Sequence, residues 1–321
     1  MSDDEVEVWP LVIPMAVGEL RTAILVLHRG GRTGLGEAPA VAARGDDLAA
    51  LCADLRSPHQ RSNSARAAWA SAELDLAGQR RGLSVAELLG GPRRRRVACS
   101  HLVLARTPAA VEAEIRVRRA EGFRTFKLKS EDAGGAMDQE RLGYARHAAG
   151  PQGRLRLDLN GRSLVAEAGR LDGFDLEFVE QPLAAPAPAR CWRELRVRAA
   201  ADESLADPEA ALELARMGVT LAIKLATVGG PEAAIGLDRA ASGQVLLGSS
   251  LETSIGLAAA AHTACALLHE PLDCGLATAS LLESDISTGW RAAGPWLDLP
   301  EGPGLGVGID RRRLLRYRIE L

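Results

Sequence analysis

Four segments in the middle of the chain read LRLDLN (155–160), LEFVEQ (176–181), RAAADES (198–204) and LAIKLA (221–226). Each is a short apolar run that ends in a polar residue and is followed by a stretch with helical periodicity. The polar residues are Asp158, Glu180, Asp202 and Lys224, and each lies 22 positions after the one before it. A strand, a loop and a helix together occupy about that length, so the pattern predicts parallel strands joined by crossover helices.

The same alternation extends outward and gives eight strand candidates in all. The other four are VACSHLVL (97–104), TFKLK (125–129), VLLGSS (245–250) and PLDCGL (271–276). Eight parallel strands close a (β/α) barrel, and barrel enzymes place their active sites at the carboxyl ends of the strands. We therefore expect an α/β fold of the TIM-barrel type with Asp158, Glu180, Asp202 and Lys224 on one rim.

The two ends of the chain have a different pattern. RTAILVLH (21–28), a turn at Gly30 and Gly31, and TGLGEA (33–38) predict an antiparallel hairpin, which a helix over 65–78 follows. GPGLGVGID (302–310) predicts a strand or hairpin that returns to the N-terminal region. The expected organisation is an α+β capping domain over 1–96, a barrel over 97–290, and a C-terminal segment over 291–321 that rejoins the cap.

Composition excludes several classes of function. A net charge of −3 and a pI near 6.1 provide no basic field for nucleic acid, and the run from Arg93 to Arg96 is typical of a solvated linker. The longest apolar stretch, 255–268, is too short to cross a bilayer. Five scattered cysteines indicate neither a disulfide framework nor a zinc site. We expect a cytoplasmic protein that binds neither membrane nor nucleic acid.

The three carboxylates predict a metal site. Asp158, Glu180 and Asp202 would repel one another in a barrel mouth unless a cation neutralised them. Ligands that are all oxygen favour magnesium, with manganese as the alternative, over zinc or copper. Magnesium also keeps open positions at which the carboxylate of a small-molecule substrate can bind.

Lysines complement this site. Lys127 and Lys129 are two positions apart on the preceding strand, so their side chains point to the same face. Lys224 comes from the far side of the ligand strands. Burial, metal charge and mutual repulsion are expected to lower the pKa values of these lysines, which would let one act as a neutral base. A single acid after a strand is usually a helix cap, but an equal spacing of three acids and a lysine is hard to explain in that way.

Five motifs in order, KLK (127–129), LDLN (157–160), VEQP (179–182), ADES (201–204) and IKLATVGG (223–230), resemble the muconate-lactonizing subgroup of the enolase superfamily. Residues 65–91 also resemble the cap helix of that subgroup and the turn after it. The resemblance implies a modified TIM barrel, (β/α)7β, with an α+β capping domain, and homo-oligomers that assemble through the outer helices. It also implies that Asp158, Glu180 and Asp202 bind Mg²⁺, with Asn160 and Glu203 supporting them.

The resemblance further implies the chemistry. Lys129 and Lys224 would flank the substrate, Lys127 would lower the pKa of Lys129, and a lysine would remove the α-proton of a carboxylate to give a metal-stabilised enediolate. Four more residues are candidates for substrate contact: Gly229, Ser249, Ser250 and Glu252.

The fate of the enediolate stays open at this level. GSSLETSIGLAAAAH (248–262) and LDCGLATASLLESDI (272–286) are most similar to o-succinylbenzoate synthases of menaquinone biosynthesis, which dehydrate their substrate. Cycloisomerases and epimerases of dipeptides or N-acylamino acids use the same lysines and ligands. Dipeptide epimerases usually carry Asp-x-Asp at the eighth strand, where only Asp273 is present here. A barrel that binds without catalysis is the alternative from another class, and the intact lysines and ligands argue against it.

Overall fold

The computed structural model describes residues 5–41, 45–163 and 171–321. Near the N-terminus, an antiparallel sheet contains β1 (Glu5–Pro14), β2 (Glu19–Arg29) and β3 (Arg32–Pro39) in that order. Both residues of the turn between β2 and β3, Gly30 and Gly31, have positive φ angles of 57° and 70°. Glycine adopts these angles without strain, and a turn of this kind suits the twist of a hairpin. The predicted hairpin is confirmed, whereas β1 was not predicted.

Three helices complete the N-terminal region: α1 (Leu48–Arg56), α2 (Asn63–Arg81) and α3 (Val85–Leu88). Helix α2 begins at the Ser62 cap and ends at Gly82, whose φ is 68°. It lies against β3 so closely that a Cβ atom at Gly36 would be 2.0 Å from the carbonyl oxygen of Ala68. Glycine at this position therefore sets the distance between the helix and the sheet.

Seven parallel strands form the barrel sheet, and their order in the sheet is their order in the chain. They follow β4 (Arg96–Ala98) and are β5 (His101–Val103), β6 (Thr125–Lys129), β7 (Arg154–Asp158), β8 (Leu176–Glu180), β9 (Ala199–Ala201), β10 (Thr220–Ile223) and β11 (Val245–Leu247). The predicted eighth strand is reduced to two isolated bridges, Cys99 to Cys274 and Gly248 to Gly275. These bridges join the segment around 274 to both edges of the sheet, which closes the barrel. The (β/α)7β fold is confirmed.

The remaining elements alternate with the barrel strands or follow them. The helices are α4 (Pro108–Ala120), α5 (Ala136–Ala149), α6 (Ala189–Arg193), α7 (Pro208–Arg216), α8 (Leu225–Val228), α9 (Pro231–Ala240), α10 (Ser254–Ala266) and α11 (Arg311–Tyr317). The last strands are β12 (Ser287–Thr288), β13 (Trp296–Asp298) and β14 (Gly308–Ile309). Among the described residues, no helix combines the length and the apolar character needed to span a bilayer.

Buried carboxylates connect distant parts of the chain. Asp75 of α2 accepts hydrogen bonds from the backbone of Leu35 at 3.0 Å and of Leu305 at 2.9 Å, so it ties the C-terminal segment to the cap sheet. Ile319 also donates a backbone hydrogen bond to Pro10 of β1. The segment around 302–310 thus returns to the N-terminal region. The domain boundaries at 96/97 and 290/291 stay a prediction.

Glu37 of β3 makes a second connection, between the cap sheet and the barrel helix α10. Its carboxylate accepts hydrogen bonds from the Thr253 backbone at 2.9 Å, the Thr253 hydroxyl at 2.6 Å and the Gly256 backbone at 3.0 Å. The Thr22 hydroxyl donates to it from within the sheet. We call this arrangement the Glu37 clasp, and it satisfies backbone N–H groups that lack partners at the start of a helix.

The arginine run is not a solvated linker throughout. The Arg94 side chain is only 13% exposed, and its guanidinium donates to the carbonyl oxygens of Ala264, Leu267 and His269 at the C-terminal end of α10. These carbonyls have no partner within the helix, and a cation near them is stabilising. The prediction was wrong for Arg94 because sequence alone gave no sign of this helix end.

Candidate active site

Three carboxylates lie together at the carboxyl end of the barrel sheet. Asp158 ends β7, Glu180 ends β8, and Asp202 directly follows β9. Asp158 and Glu180 are direct partners in the sheet register, and each of the three is 1% exposed. The equal spacing in the sequence therefore brings these side chains to one rim, as predicted.

Each carboxylate is contacted by a lysine. Lys127 Nζ lies 3.1 Å from Asp158 Oδ2 and 2.9 Å from Glu180 Oε1. Lys129 Nζ lies 2.9 Å from Asp158 Oδ2, and Lys224 Nζ bonds to Asp202 Oδ2. Because β6 and β10 are four places apart in the strand order, Lys129 and Lys224 approach the barrel mouth from opposite sides.

All three lysines line one cavity of about 510 Å³ at this mouth. The carboxylate side of the cavity includes Glu180, Asp202, Glu203 and Asn160, and the facing wall includes Ser249, Ser250 and Thr278. The cavity is large enough for a small organic acid, and polar groups of both charges converge in it. This is the arrangement expected of an active site.

The pKa values of two lysines respond to their carboxylate partners. Burial tends to lower the pKa of Lys127, but the charges of Glu180 and Asp158 outweigh burial and raise that pKa well above its ordinary value. Burial also tends to lower the pKa of Lys224, and Asp202 beside it raises that pKa. Direct pairing with carboxylates therefore sets the direction of the pKa at these two lysines, and the effect of a metal charge on their pKa values stays a prediction.

The carboxylates respond unequally to this pairing. Burial alone would raise the pKa of Asp158, but Lys127, Lys129 and Lys224 hold that pKa well below its usual range. Burial raises the pKa values of Glu180 and Asp202, and their lysine partners offset this only in part. Burial thus outweighs the lysine pairing at Glu180 and Asp202, so a bound cation would stabilise their ionised forms.

Two buried oxygens indicate that the rim suits a cation. Oε2 of Glu180 and Oε2 of Glu203 have no hydrogen-bond partner among the described residues. Among the same residues, no group of three or more acidic, histidine or cysteine side chains has its donor atoms close enough together to hold a metal ion as the side chains stand. The donor atoms are nevertheless carboxylate oxygens, which are the ligands that magnesium prefers, and a divalent ion would offset the cost of burying ionised carboxylates. The residues present therefore fit this metal.

Supporting side chains fix the rim. Asn160 accepts a hydrogen bond from Lys129 Nζ at 2.9 Å and donates to Glu203 Oε1 at 3.3 Å. Gln181 was missed by the sequence reasoning, although it directly follows Glu180 in the quoted motif. Its Oε1 accepts from the backbone of Asp202 at 3.0 Å and of Ser204 at 3.2 Å. Gln181 thus orients the loop that carries Asp202.

The other predicted substrate contacts divide into two groups. Ser249 and Ser250 line the cavity, and the Ser250 hydroxyl is buried without a hydrogen-bond partner among the described residues. Gly229 does not line the cavity, and its N–H donates to Leu225 O within α8. Glu252 also lies outside the cavity lining and accepts a hydrogen bond from the Ser250 backbone. Gly229 and Glu252 thus lie outside the cavity lining, and their roles as substrate contacts stay predictions.

Asp273 lies at the opposite end of the barrel from the catalytic rim. Its Oδ2 accepts from the Thr125 hydroxyl at 2.7 Å and from Arg154 Nη2 at 2.6 Å. Thr125 and Arg154 are the first residues of β6 and β7, whereas Lys129 and Asp158 are the last residues of these strands. Asp273 is thus placed where it cannot hold a substrate ammonium group at the mouth.

Comparison with known proteins agrees with this fold. Residues 110–313 match the family model described as Enolase C-terminal domain-like, and the chain belongs to this family. It is an enzyme of the enolase superfamily, in the muconate-lactonizing subgroup.

Two curated relatives cover different lengths. The chain is 39% identical to the o-succinylbenzoate synthase of Thermobifida fusca (strain YX) over 184 residues, which are 54% of this chain and 58% of that protein. It is 31% identical to muconate cycloisomerase 1-1 of Acinetobacter lwoffii over 268 residues, which are 79% of this chain and 70% of that protein.

Solved structures match nearly the whole chain. The muconate cycloisomerase from Pseudomonas fluorescens superposes with a TM-score of 0.87 at 26% identity and covers 100% of both chains. The muconate lactonizing enzyme from Pseudomonas putida has a TM-score of 0.89 at 24% identity and covers 98% of this chain and 99% of that one. The second match bears on the fold alone.

Proposed function

We propose that this chain removes the α-proton of a carboxylate substrate in a magnesium-dependent reaction and then eliminates water, as an o-succinylbenzoate synthase does. The observation that carries the proposal is the placement of Lys129 and Lys224 on opposite sides of one cavity, next to three buried carboxylates. A substrate bound between the two lysines presents its α-carbon to both of them.

Lys129 is the base in this proposal. Its side chain is 44% exposed, compared with 15% for Lys224 and 18% for Lys127, so Lys129 is the lysine with most freedom to reach a substrate. The Lys129 amine removes the α-proton, and the C–H electron pair enters the carboxylate to form an enediolate. The pair then returns and expels the hydroxyl group on the neighbouring carbon, which leaves as water with the proton that Lys129 carried.

The other residues hold charge and position. Lys224 remains protonated and stabilises the negative charge from the far side, in keeping with its raised pKa beside Asp202. Asp158, Glu180 and Asp202 would hold Mg²⁺, with Mn²⁺ as the alternative, and the bound ion would supply positive charge that stabilises the enediolate. Asn160 and Glu203 keep the ligand loops in place.

One comparison favours dehydration over cycloisomerisation, and one structural observation favours it over epimerisation. The synthase from Thermobifida fusca has a higher identity to this chain than the cycloisomerase from Acinetobacter lwoffii does. Asp273, the one acid of the eighth-strand segment 271–276, lies below the cavity and pairs with Arg154. An α-ammonium group at the mouth would therefore lack this carboxylate as a partner.

The direct test is an assay for dehydration of the substrate. With Mg²⁺ present, we expect the wild-type protein to convert the hydroxy-cyclohexadiene substrate of o-succinylbenzoate synthases to the aromatic product. We expect Lys129→Ala to abolish this activity, since general-base catalysis typically contributes 10² to 10⁴-fold and no other base replaces it. Ser280→Ala is a matched control, because Ser280 lines the cavity while its hydroxyl donates only to Ala277 O.

Muconate cycloisomerisation is the second candidate, and the longer alignment to the cycloisomerase favours it. Assays with cis,cis-muconate and with a panel of dipeptides and N-acylamino acids, run beside the dehydration assay, separate these reactions. Lactone formation without dehydration would replace the synthase proposal. If no acid in the panel exchanged its α-proton with deuterated solvent, catalysis itself would be refuted in favour of a binding role.

A further inference from the structure

Four charged side chains and one threonine form a hydrogen-bonded group below the catalytic rim. We call it the floor cluster, and it consists of Thr125, Arg154, Arg156, Glu177 and Asp273. Arg154 lies 2.6 Å from Asp273 and 3.5 Å from Glu177, and Arg156 Nε lies 2.6 Å from Glu177 Oε2. Two cations thus face two anions, so the cluster is balanced in charge.

Arg156 differs from the rest of the floor cluster in being part of the cavity lining. Its side chain is 1% exposed, Nη1 donates to the Asp273 carbonyl at 2.7 Å, and the guanidinium carbon lies 4.7 Å from the centre of the Phe178 ring. The remaining nitrogen, Nη2, is buried and has no hydrogen-bond acceptor among the described residues. A buried, charged donor without an acceptor is costly, so this position favours a ligand that supplies one.

The surroundings of Arg156 suit an acidic group. Ala222 and Leu246 line the same part of the molecule, and together with Phe178 they belong to one apolar cluster. In such surroundings of low dielectric, a guanidinium attracts a carboxylate more strongly than it would in water. Glu177 already pairs with Nε of Arg156, so Nη2 is the donor that remains for a ligand.

The distance to the catalytic rim allows one substrate to reach both sites. Arg156 is the register partner of Lys127 and precedes Asp158 by two residues on β7. A strand rises about 3.3 Å per residue, so Arg156 starts about 6.6 Å below the metal-ligand position, with its side chain pointing to the same face. A substrate whose first carboxylate lies at the rim can therefore extend a second acidic group toward Arg156.

We propose that Arg156 is a specificity-determining residue that binds, through Nη2, a second acidic group of a dicarboxylate substrate. The inference rests on the proposed function for the location of the first carboxylate, and it adds a residue that the sequence motifs did not indicate. Arg162 at the mouth is the competing cation. Arg162 is exposed, and its Nη1 donates only long hydrogen bonds, of 3.3 and 3.4 Å, to the carbonyls of Glu131 and Ser130.

The test is a binding comparison that does not require turnover. Calorimetry in the presence of Mg²⁺ would measure the affinity for o-succinylbenzoate and for its analogue with the aliphatic carboxylate changed to a carboxamide. The pair cis,cis-muconate and its monoamide provides a second diacid. We expect the wild-type protein to prefer each diacid by about 10- to 100-fold, as for a hydrogen bond between charged groups, and Arg156→Met to reduce this preference to less than about threefold.

Arg154→Met is the matched control, since Arg154 lies on the same strand and in the same floor cluster but outside the cavity lining. It should keep the wild-type preference. If Arg156→Met does not fold, as judged by its thermal transition, Arg156→Lys takes its place, because lysine keeps the charge near Glu177 but lacks the planar pair of donors. We expect Arg156→Lys to lose at least half of the preference.

Several results would overturn the inference. They are a wild-type protein without diacid preference, an Arg156 variant that keeps the full preference, an equal loss in Arg154→Met, and a loss confined to Arg162→Met. Failure of the proposed function is recognised separately, because a wild-type protein that does not dehydrate its substrate can still prefer diacids in the calorimeter.

Discussion

Glu37→Gln should make the stability of the protein less sensitive to pH. The Glu37 clasp holds a buried carboxylate, and burial, with the nearby charge of Glu252, raises the pKa of Glu37 from 4.5 to about 7. The folded protein therefore holds this proton more tightly than the unfolded chain does. Stability is highest when Glu37 is protonated in both states, and it falls as the pH rises from about 4.5 to about 7.

The size of the effect follows from the two pKa values. The full penalty above pH 7 is about 3.4 kcal/mol, of which about 2.5 kcal/mol develops between pH 5 and pH 8. Glutamine can keep the bonds from Thr253 and Gly256 on its oxygen and donate its amide to the Thr22 hydroxyl, which itself donates to Ala38 O. The free energy of unfolding of Glu37→Gln minus that of the wild type should therefore be about 2.5 kcal/mol larger at pH 8 than at pH 5.

Urea unfolding of both proteins at pH 5, 6, 7 and 8 is the measurement. Comparing the two curves removes the contribution of all other titrating groups that the substitution leaves unchanged. Glu37→Ala is the control, because it removes the same titrating group but leaves the N–H groups of Thr253 and Gly256 without acceptors, so it should be about 2 to 5 kcal/mol less stable than Glu37→Gln at every pH. Parallel curves for Glu37→Gln and the wild type would refute the reasoning, as would a Glu37→Gln protein that is as unstable as Glu37→Ala.

Three further outcomes are expected. Gly36→Ala should lower the free energy of unfolding by about 3 kcal/mol, because its methyl group would meet the carbonyl oxygen of Ala68. Gly236→Ala has open space around it and should be neutral or slightly stabilising. Thermal unfolding of both variants checks this. Arg94→Ala should lose about 2 kcal/mol in the same measurement, because three carbonyls at the end of α10 lose their donor. Millimolar Mg²⁺ should raise the melting temperature of the wild type reversibly with chelator, and Asp202→Asn should lose most of that rise. An equal rise in Asp202→Asn would remove Asp202 from the predicted ligands.

The location of the site could be predicted from the sequence because parallel strands have a single direction. A polar residue at the end of each strand reaches the same rim whatever the details of packing, so Asp158, Glu180, Asp202 and Lys224 meet as their spacing predicts. Their roles in binding metal and moving protons stay predictions. The spacing does not show which lysine pairs with which carboxylate, and this pairing raises the pKa values of Lys127 and Lys224.

The sequence did not predict strand β1 at the edge of its sheet or the register of the eighth-strand segment. Strand β1 contains Pro10 and Pro14, which argue against a strand, but β1 lies at the edge of its sheet, where a missing N–H is tolerated. The sequence also did not indicate where Asp273 of the eighth-strand segment lies along the barrel axis. Its height in the barrel depends on the register of Cys274 with Cys99, and no feature of the sequence fixes that register.

The return of the C-terminal segment to the cap also has a consequence during synthesis. Ile319 bonds to Pro10, and Leu305 bonds to Asp75, so the cap includes contacts between residues that are translated about 230 to 310 positions apart. At about 5 to 20 residues per second, the first cap strands wait roughly 10 to 60 seconds for these partners. On the ribosome, the barrel strands are therefore all made before the cap can close, and the unpaired edge at β1 is the surface that a chaperone would meet.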